Sequence, residues 1–176
     1  MALEPLAHDF LSRLNSAIKK KVTVVLIGGN ALSTLGLKSA TEDVDIVCRS
    51  SEPIVANFCR DYVKKYKVKV EFFIDGLFKN IRIKDYLESA YPYMQDEFQN
   101  LNLKILSLPD IILTKISRSM KKDLDDVSRI LHKQEIIEVE LDKRFAYLLK
   151  NTIGDKSDFM DKYNNFKRLY GSLLNK

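Results

Sequence analysis

The alternation of apolar and polar residues along the chain predicts helices and strands in a mixed order. The first helix is predicted over residues 4–20, where Leu6, Phe10, Leu14 and Ile18 recur every four positions and form one apolar stripe. Short β-branched or apolar runs predict strands over residues 22–27, 44–48, 68–74, 81–83 and 101–106. Longer stretches with an apolar stripe predict helices over residues 30–35, 53–66, 139–150 and 156–174, with two more within 108–134.

This order predicts an α+β fold with an α/β-like beginning. A mixed β-sheet flanked by helices is followed by a stretch that contains helices alone. We expect residues 1–107 to form the core, and residues 108–176 to form a helical C-terminal region packed on that core. The Asp75-Gly76 pair indicates a hairpin-type turn, whereas residues 91–93 favour neither a helix nor a strand.

Composition limits the class of protein and the kind of metal site. Hydrophobic residues make up 45% and charged residues 30% of the chain, so a packed core is expected. The chain has no apolar run of about 18 residues and no secretory signal, so we expect a cytoplasmic protein without a membrane partner. With 2 cysteines and 2 histidines, a disulfide framework or a zinc site is excluded, and carboxylates must hold any metal.

The net charge of +5 suits a polyanionic partner such as a nucleotide or a nucleic acid. A surplus of lysine also increases solubility in proteins that have no such partner, and composition does not distinguish these two interpretations.

Two glycines mark the point where a predicted strand gives way to a predicted helix. At Gly28-Gly29 the missing Cβ atoms would let a phosphate approach the backbone, where the helix start offers free N–H groups. A diglycine also occurs in tight turns that bind nothing, so this feature alone does not establish a phosphate site.

A pair of aspartates alternates with apolar residues on the next strand. Because side chains two positions apart share a face of a strand, Asp43 and Asp45 point the same way while Val44 and Ile46 enter the core. Two neighbouring carboxylates repel each other unless a cation lies between them, and oxygen ligands of this kind suit Mg²⁺. The alternative is a solvated polar strand face.

Together, Ile27-Gly28-Gly29 and Asp43-Val44-Asp45-Ile46 resemble the signature of the DNA polymerase β-like nucleotidyltransferase superfamily. The chain looks most like small bacterial and archaeal members, among them the abortive-infection type nucleotidyltransferase toxins. The resemblance implies a mixed-sheet nucleotidyltransferase core and Mg²⁺ or Mn²⁺ held by Asp43 and Asp45. It also implies transfer of an NMP group from an NTP to a hydroxyl of a tRNA or RNA end or of a protein side chain. Pyrophosphate would leave, and a toxin or antitoxin chain is a possible partner.

The resemblance further implies a third carboxylate from a later strand. Glu71 and Asp75 are the candidates, and we favour Glu71 because it falls in mid-strand on the polar side, whereas Asp75 belongs to the predicted turn. An exposed acid flanked by lysines is the alternative interpretation of Glu71.

A looser similarity to the abortive-infection toxins lies in the C-terminal half. It implies catalytic importance for Lys115 and for Asp123, with Asp126 as the other choice, while Lys115 and Arg118 share a helix face and can meet phosphates. A solvated basic face followed by an acidic helix start is the alternative. The chain departs from many superfamily members by carrying glycine instead of serine at position 29, and Lys38 stands where a basic residue often precedes the aspartates.

Two rival functions remain open at this point. A catalytically degenerate, antitoxin-like module would bind nucleic acid or protein without turnover. The letters GGNA from Gly28 onward also occur in amino-acid kinases, although those chains are considerably longer.

Overall fold

The computed structural model describes residues 2–49, 52–74, 85–94, 97–152 and 155–175. These residues form two compact units, of which one holds the described residues up to Leu106 and the other begins at Ser107. The Asp75-Gly76 turn and the strand predicted over 81–83 lie outside the described residues. That residues 108–176 pack on the core stays a prediction.

The first unit contains all five strands and four of the helices of the described chain. Its elements are α1 (Pro5–Ala17), β1 (Val22–Leu26), α2 (Gly28–Thr34), β2 (Asp43–Cys48), α3 (Pro53–Tyr66), β3 (Lys69–Ile74), α4 (Tyr86–Ser89), β4 (Tyr91–Pro92) and β5 (Leu101–Ile105). The second unit contains α5 (Leu108–Arg118), α6 (Lys121–Lys133), α7 (Glu138–Lys150) and α8 (Ser157–Tyr170), followed by a 3₁₀ turn at Gly171–Leu173.

The sheet is mixed, which confirms the predicted α+β class. Its strand order is β3-β2-β1-β5-β4. Strand β1 runs antiparallel to β2 and parallel to β5. Strand β3 runs parallel to β2. The stretch that the sequence left ambiguous forms the short edge strand β4, antiparallel to β5.

Helices α1 and α3 cover the apolar side of this sheet, because they pack on each other and on β2 and β3 respectively. Phe10 of α1 is fully buried and meets Phe58 and Tyr62 of α3 edge-on, at ring-centroid distances of 5.5 and 5.0 Å. Val44 and Ile46 of β2 are also fully buried, as their alternation with the aspartates predicts.

Helix α1 ends earlier than its apolar stripe predicts. Glu4 caps its start through the N–H groups of Leu6 and Ala7, and the helix stops at Ala17. At that end the side-chain amide of Asn100 donates to the carbonyls of Asn15 and Ile18, at 3.2 and 2.9 Å. A side chain that is distant in sequence therefore satisfies the carbonyls that a longer helix would use, and the three lysines at 19–21 lie beyond the helix.

In the second unit, α5 packs against α6, α7 and α8. Asp110 near the start of α5 is fully buried and accepts hydrogen bonds from Arg144 of α7, with Nε–Oδ1 and Nη2–Oδ2 distances of 2.6 and 3.0 Å. Phe145 stacks on Tyr163 of α8, with ring centroids 3.8 Å apart. Helix α8 was predicted to reach residue 174; it ends at Tyr170, where a glycine of low helix propensity follows. None of the described helices is both long and apolar enough to cross a bilayer.

Replacing Arg144 by methionine should destabilise the second unit. The Arg144→Met variant leaves the buried Asp110 carboxylate without its guanidinium partner, which costs about 3–5 kcal/mol in free energy of unfolding. Urea denaturation measures the loss, with Arg168→Met as the control because Arg168 is exposed and, within the described chain, bonds only to Asn165. A loss equal to that of the control would contradict the structural role of the pair.

Candidate functional site

Three candidate carboxylates lie on one face of the sheet, at neighbouring positions of β2 and β3. Asp43 lies opposite Lys69, and Asp45 lies opposite Glu71, in the parallel register of the two strands. Since paired residues point to the same side of a sheet, these four charged side chains share one face. The structure thus brings Asp43, Asp45 and Glu71 together in the first unit, while Asp75 lies outside the described residues.

The diglycine turn meets the second aspartate directly. Gly28 has a φ of +54°, which favours glycine. A Cβ atom at that position would lie 2.2 Å from Oδ2 of Asp45, so no other residue fits without moving the carboxylate. The N–H of Gly29 donates to the same oxygen at 3.2 Å. The turn and the aspartate that the sequence singles out separately therefore form one structure at the start of α2.

Asn30 fixes this arrangement from within the protein. It is fully buried, and its Oδ1 accepts the backbone N–H of Asp45 at 2.6 Å, which ties α2 to β2. Its Nδ2 has no hydrogen-bond partner among the described residues. Asn30 is not among the residues that the sequence pattern singles out, although a polar residue directly after the diglycine at the helix start was a usable signal.

Thr41 and Lys38 complete the approach to the glycines. The Thr41 hydroxyl donates to Oδ1 of Asp43 at 2.7 Å and so orients that carboxylate. A Cβ atom at Gly29 would lie 2.8 Å from Thr41 Oγ1 and 3.8 Å from Nζ of Lys38. Lys38 is half-buried and its ammonium lies beside Gly29, where none of the carboxylates in the described chain pairs with it.

A second lysine lies among the acids themselves. Nζ of Lys69 is ion-paired with Oε1 of Glu71 and lies 3.7 Å from Oδ2 of Asp43. The hydrogen bond to Glu71 is the main reason why the pKa of Lys69 is raised, and the charges of Glu71, Asp43 and Asp45 act in the same direction. This lysine is therefore charged and held by the carboxylate group.

The oxygen donors fit a magnesium site that substrate phosphates complete. Among the residues that the structure describes, no group of three or more Asp, Glu, His or Cys side chains is arranged so that all of them could hold one metal ion. Mg²⁺ usually takes one or two carboxylates and fills the rest of its shell with water and phosphate oxygens. Asp43 and Asp45 supply such a pair, and the absent Cβ of Gly28 leaves room for the Asp45 carboxylate.

The C-terminal candidates lie in the second unit, and Lys115 is buried there. Its side chain is 4% exposed, with Nζ 2.6 Å from Oδ2 of Asp126 and 3.3 Å from Oδ1 of Asp123. Arg118 pairs with Asp123, and Arg129 pairs with Asp126, each at 2.7 Å. The interpretation as a solvated basic face is thus wrong for Lys115, whereas Asp123 lies in the first turn of α6, as the acidic helix start predicts. Their catalytic importance stays a prediction, and the observed contacts join α5 to α6.

Substituting Gly28 should disturb the carboxylate as well as the backbone. We expect Gly28→Ala to lower the free energy of unfolding by about 2–4 kcal/mol, because strain at positive φ adds to the clash with Asp45. Gly36→Ala is the matched control, since Gly36 has a φ of +72° but nothing within 4 Å of an added Cβ. Urea denaturation compares the two variants, and equal losses would refute the close approach of Gly28 to Asp45.

Removing the Lys115 charge should destabilise the second unit. Lys115→Met leaves two buried aspartates with fewer counter-charges, which costs about 3 kcal/mol or more. Thermal unfolding followed by circular dichroism measures the change, with the exposed Lys133 as the control in Lys133→Met. An unchanged melting temperature would show that the ion pairs of Lys115 with Asp123 and Asp126 do not hold α5 and α6 together.

No curated protein and no solved structure matches the chain. The model of the DUF6036 family, described as a nucleotidyltransferase of unknown function, matches residues 7–171. That match covers both units, the diglycine turn and all three carboxylates. It confirms the resemblance to nucleotidyltransferases, and the chain belongs to this nucleotidyltransferase family.

Proposed function

We propose that this protein is a Mg²⁺-dependent nucleotidyltransferase that moves an NMP group from an NTP to a hydroxyl acceptor and releases pyrophosphate. The observation that carries the proposal is the Asp45 carboxylate held against the Gly28-Gly29 turn, with Asp43 beside it on the same strand face. Membership in a nucleotidyltransferase family supports the reaction class.

Asp43, Asp45 and Glu71 are the residues proposed to hold Mg²⁺ or Mn²⁺. When bound, the divalent cation neutralises charge that develops at the α-phosphate and makes the acceptor hydroxyl more acidic. The two aspartates are oriented before any ligand arrives, because Thr41 bonds to the first and Gly29 to the second. Such preorganisation lowers the reorganisation needed during the reaction.

The phosphates of the nucleotide are proposed to lie over the diglycine turn. The space that side chains at Gly28 and Gly29 would fill holds Oδ2 of Asp45 and Oγ1 of Thr41, so the phosphates would lie beside these atoms, next to the cation that Asp45 would hold. Lys38 places an ammonium beside Gly29 and supplies a positive charge for the β- and γ-phosphates. A contribution from Lys115 would require that it leave Asp126 and Asp123, so Lys38 is the stronger choice.

In the transfer step, the acceptor oxygen forms the new bond to the α-phosphorus while the bond to pyrophosphate breaks. Glu71 accepts the proton of the acceptor hydroxyl, since it lies on the strand next to the aspartates and points to the same side. The acceptor is a hydroxyl of a tRNA or RNA end or of a protein side chain. A toxin or antitoxin partner chain is proposed only on the resemblance.

One observation favours a second candidate function, a binding module without turnover. Lys69 neutralises Glu71 in this structure, and an acid that stays paired with lysine can neither accept a proton nor hold a metal. Such a module would bind nucleic acid or protein, and Asp45 would be dispensable for it.

The Asp45→Asn variant separates the two functions. With Mg²⁺ or Mn²⁺, α-³²P-labelled NTPs and total tRNA or protein acceptors, we expect wild type to transfer label and Asp45→Asn to lose at least about a hundredfold in rate. Glu42→Gln is the control, because Glu42 is an exposed acid close to the motif with no ion pair among the described residues.

Calorimetric titration with Mg²⁺·NTP accompanies the transfer assay. We expect weaker binding in Asp45→Asn and unchanged binding in Glu42→Gln. Absence of both transfer and NTP binding in wild type would contradict the proposal, and binding that is indifferent to Asp45→Asn would favour the module.

A further inference from the structure

Lys69 occupies an unusual position for a basic residue, directly inside the proposed metal site. It is the first residue of β3 and lies opposite Asp43 in the sheet. Glu71 lies two positions further along the same strand, on the same face. A lysine at this place faces carboxylates both across the strand pair and along its own strand.

The contacts show that the lysine bridges two of the three acids. Its Nζ is ion-paired with Glu71 and lies 3.7 Å from Oδ2 of Asp43. Asp45 has other contacts, including the N–H of Gly29, so the bridge joins the two carboxylates that lie farther from the diglycine turn. The ammonium therefore lies between oxygen atoms that a divalent cation would use.

An ammonium and a divalent cation cannot both occupy the space between these oxygens, because two positive charges held so close together repel strongly. One of them must leave when the other binds. The Lys69 side chain is 64% exposed, and its flexible four-carbon stem lets the ammonium swing into solvent. Displacement therefore requires no rearrangement of the core.

We propose that Lys69 is an internal counter-cation of the carboxylate site, which a divalent cation must displace from Asp43 and Glu71 before those oxygens can bind it. The inference rests on the proposed function, since it takes these carboxylates to be metal ligands. Lys69 thereby lowers the metal affinity of the free protein, and it keeps the acids from repelling one another while the site holds no metal.

Binding of Mn²⁺ to the free protein tests this inference without any activity measurement. Electron paramagnetic resonance reports the free Mn²⁺ that remains at each protein concentration. We expect Lys69→Met to bind Mn²⁺ about tenfold more tightly than wild type, because the competing charge is gone. Lys69→Gln serves as a second variant, and circular dichroism verifies that both are folded.

Lys67→Met is the matched control. Lys67 is exposed and lies two residues before Lys69, but it has no carboxylate partner in the described chain. Lys67→Met therefore changes the net charge as much as Lys69→Met does and removes no contact with the proposed metal site. Its Mn²⁺ dissociation constant should stay within about twofold of wild type, as expected when an exposed charge is screened by salt.

The possible outcomes distinguish the inference from the proposed function. If Asp45→Asn abolishes Mn²⁺ binding while both Lys69 variants bind like wild type, the inference is overturned and the metal site stands. If Lys67→Met gains as much affinity as Lys69→Met, the effect is one of net charge and the inference is likewise overturned. If neither wild type nor the Lys69 variants bind Mn²⁺, the inference fails, and the transfer assay with Mg²⁺ and NTP decides the proposed function separately.

Discussion

The contact between the Asp45 carboxylate and the Gly28-Gly29 turn is the constraint on which the rest of the site depends. The carboxylate lies where a side chain at position 28 would have to be, and it accepts the N–H of the next glycine. Asn30 accepts the backbone N–H of the same aspartate. These contacts join the start of α2 to the strand β2, so both elements determine the position of the Asp45 carboxylate.

Charge is distributed very differently in the two units. In the first, three acids stand on one sheet face with a single exposed lysine between two of them, which leaves negative charge available for a cation. In the second, the buried aspartates at 123 and 126 are matched by Lys115, Arg118 and Arg129. Buried ion pairs of that kind are costly to break, which suits a structural cluster, whereas an incompletely neutralised, accessible group suits ligand binding.

Local patterning predicted much of the fold, because periodicity reveals which side of a strand or helix is buried. The alternation around Asp43 and Asp45 placed both acids on the polar face of their strand, and the alternation around Glu71 placed that acid on the polar face of its own strand. The early end of α1 was not predictable in this way, because the capping amide of Asn100 comes from a residue 85 positions away from Asn15.

Contacts that depend on how helices and strands pair could not be predicted from the sequence either. Alternation places Lys69 on the same face of its strand as Glu71, but its bridge to Asp43 requires the register of β2 and β3. Lys115 was expected to be available to phosphates, and the packing of α5 against α6 buries it instead. Side-chain direction follows from local spacing, whereas the partner that a charge finds follows from tertiary structure.

Anomalous diffraction from crystals soaked with Mn²⁺ and NTP is the most direct test of the account. The account predicts a manganese peak bonded to oxygens of Asp43 and Asp45, with nucleotide phosphates between that peak and the Gly28-Gly29 turn. A nucleotide bound elsewhere, or a manganese peak that avoids both aspartates, would contradict it.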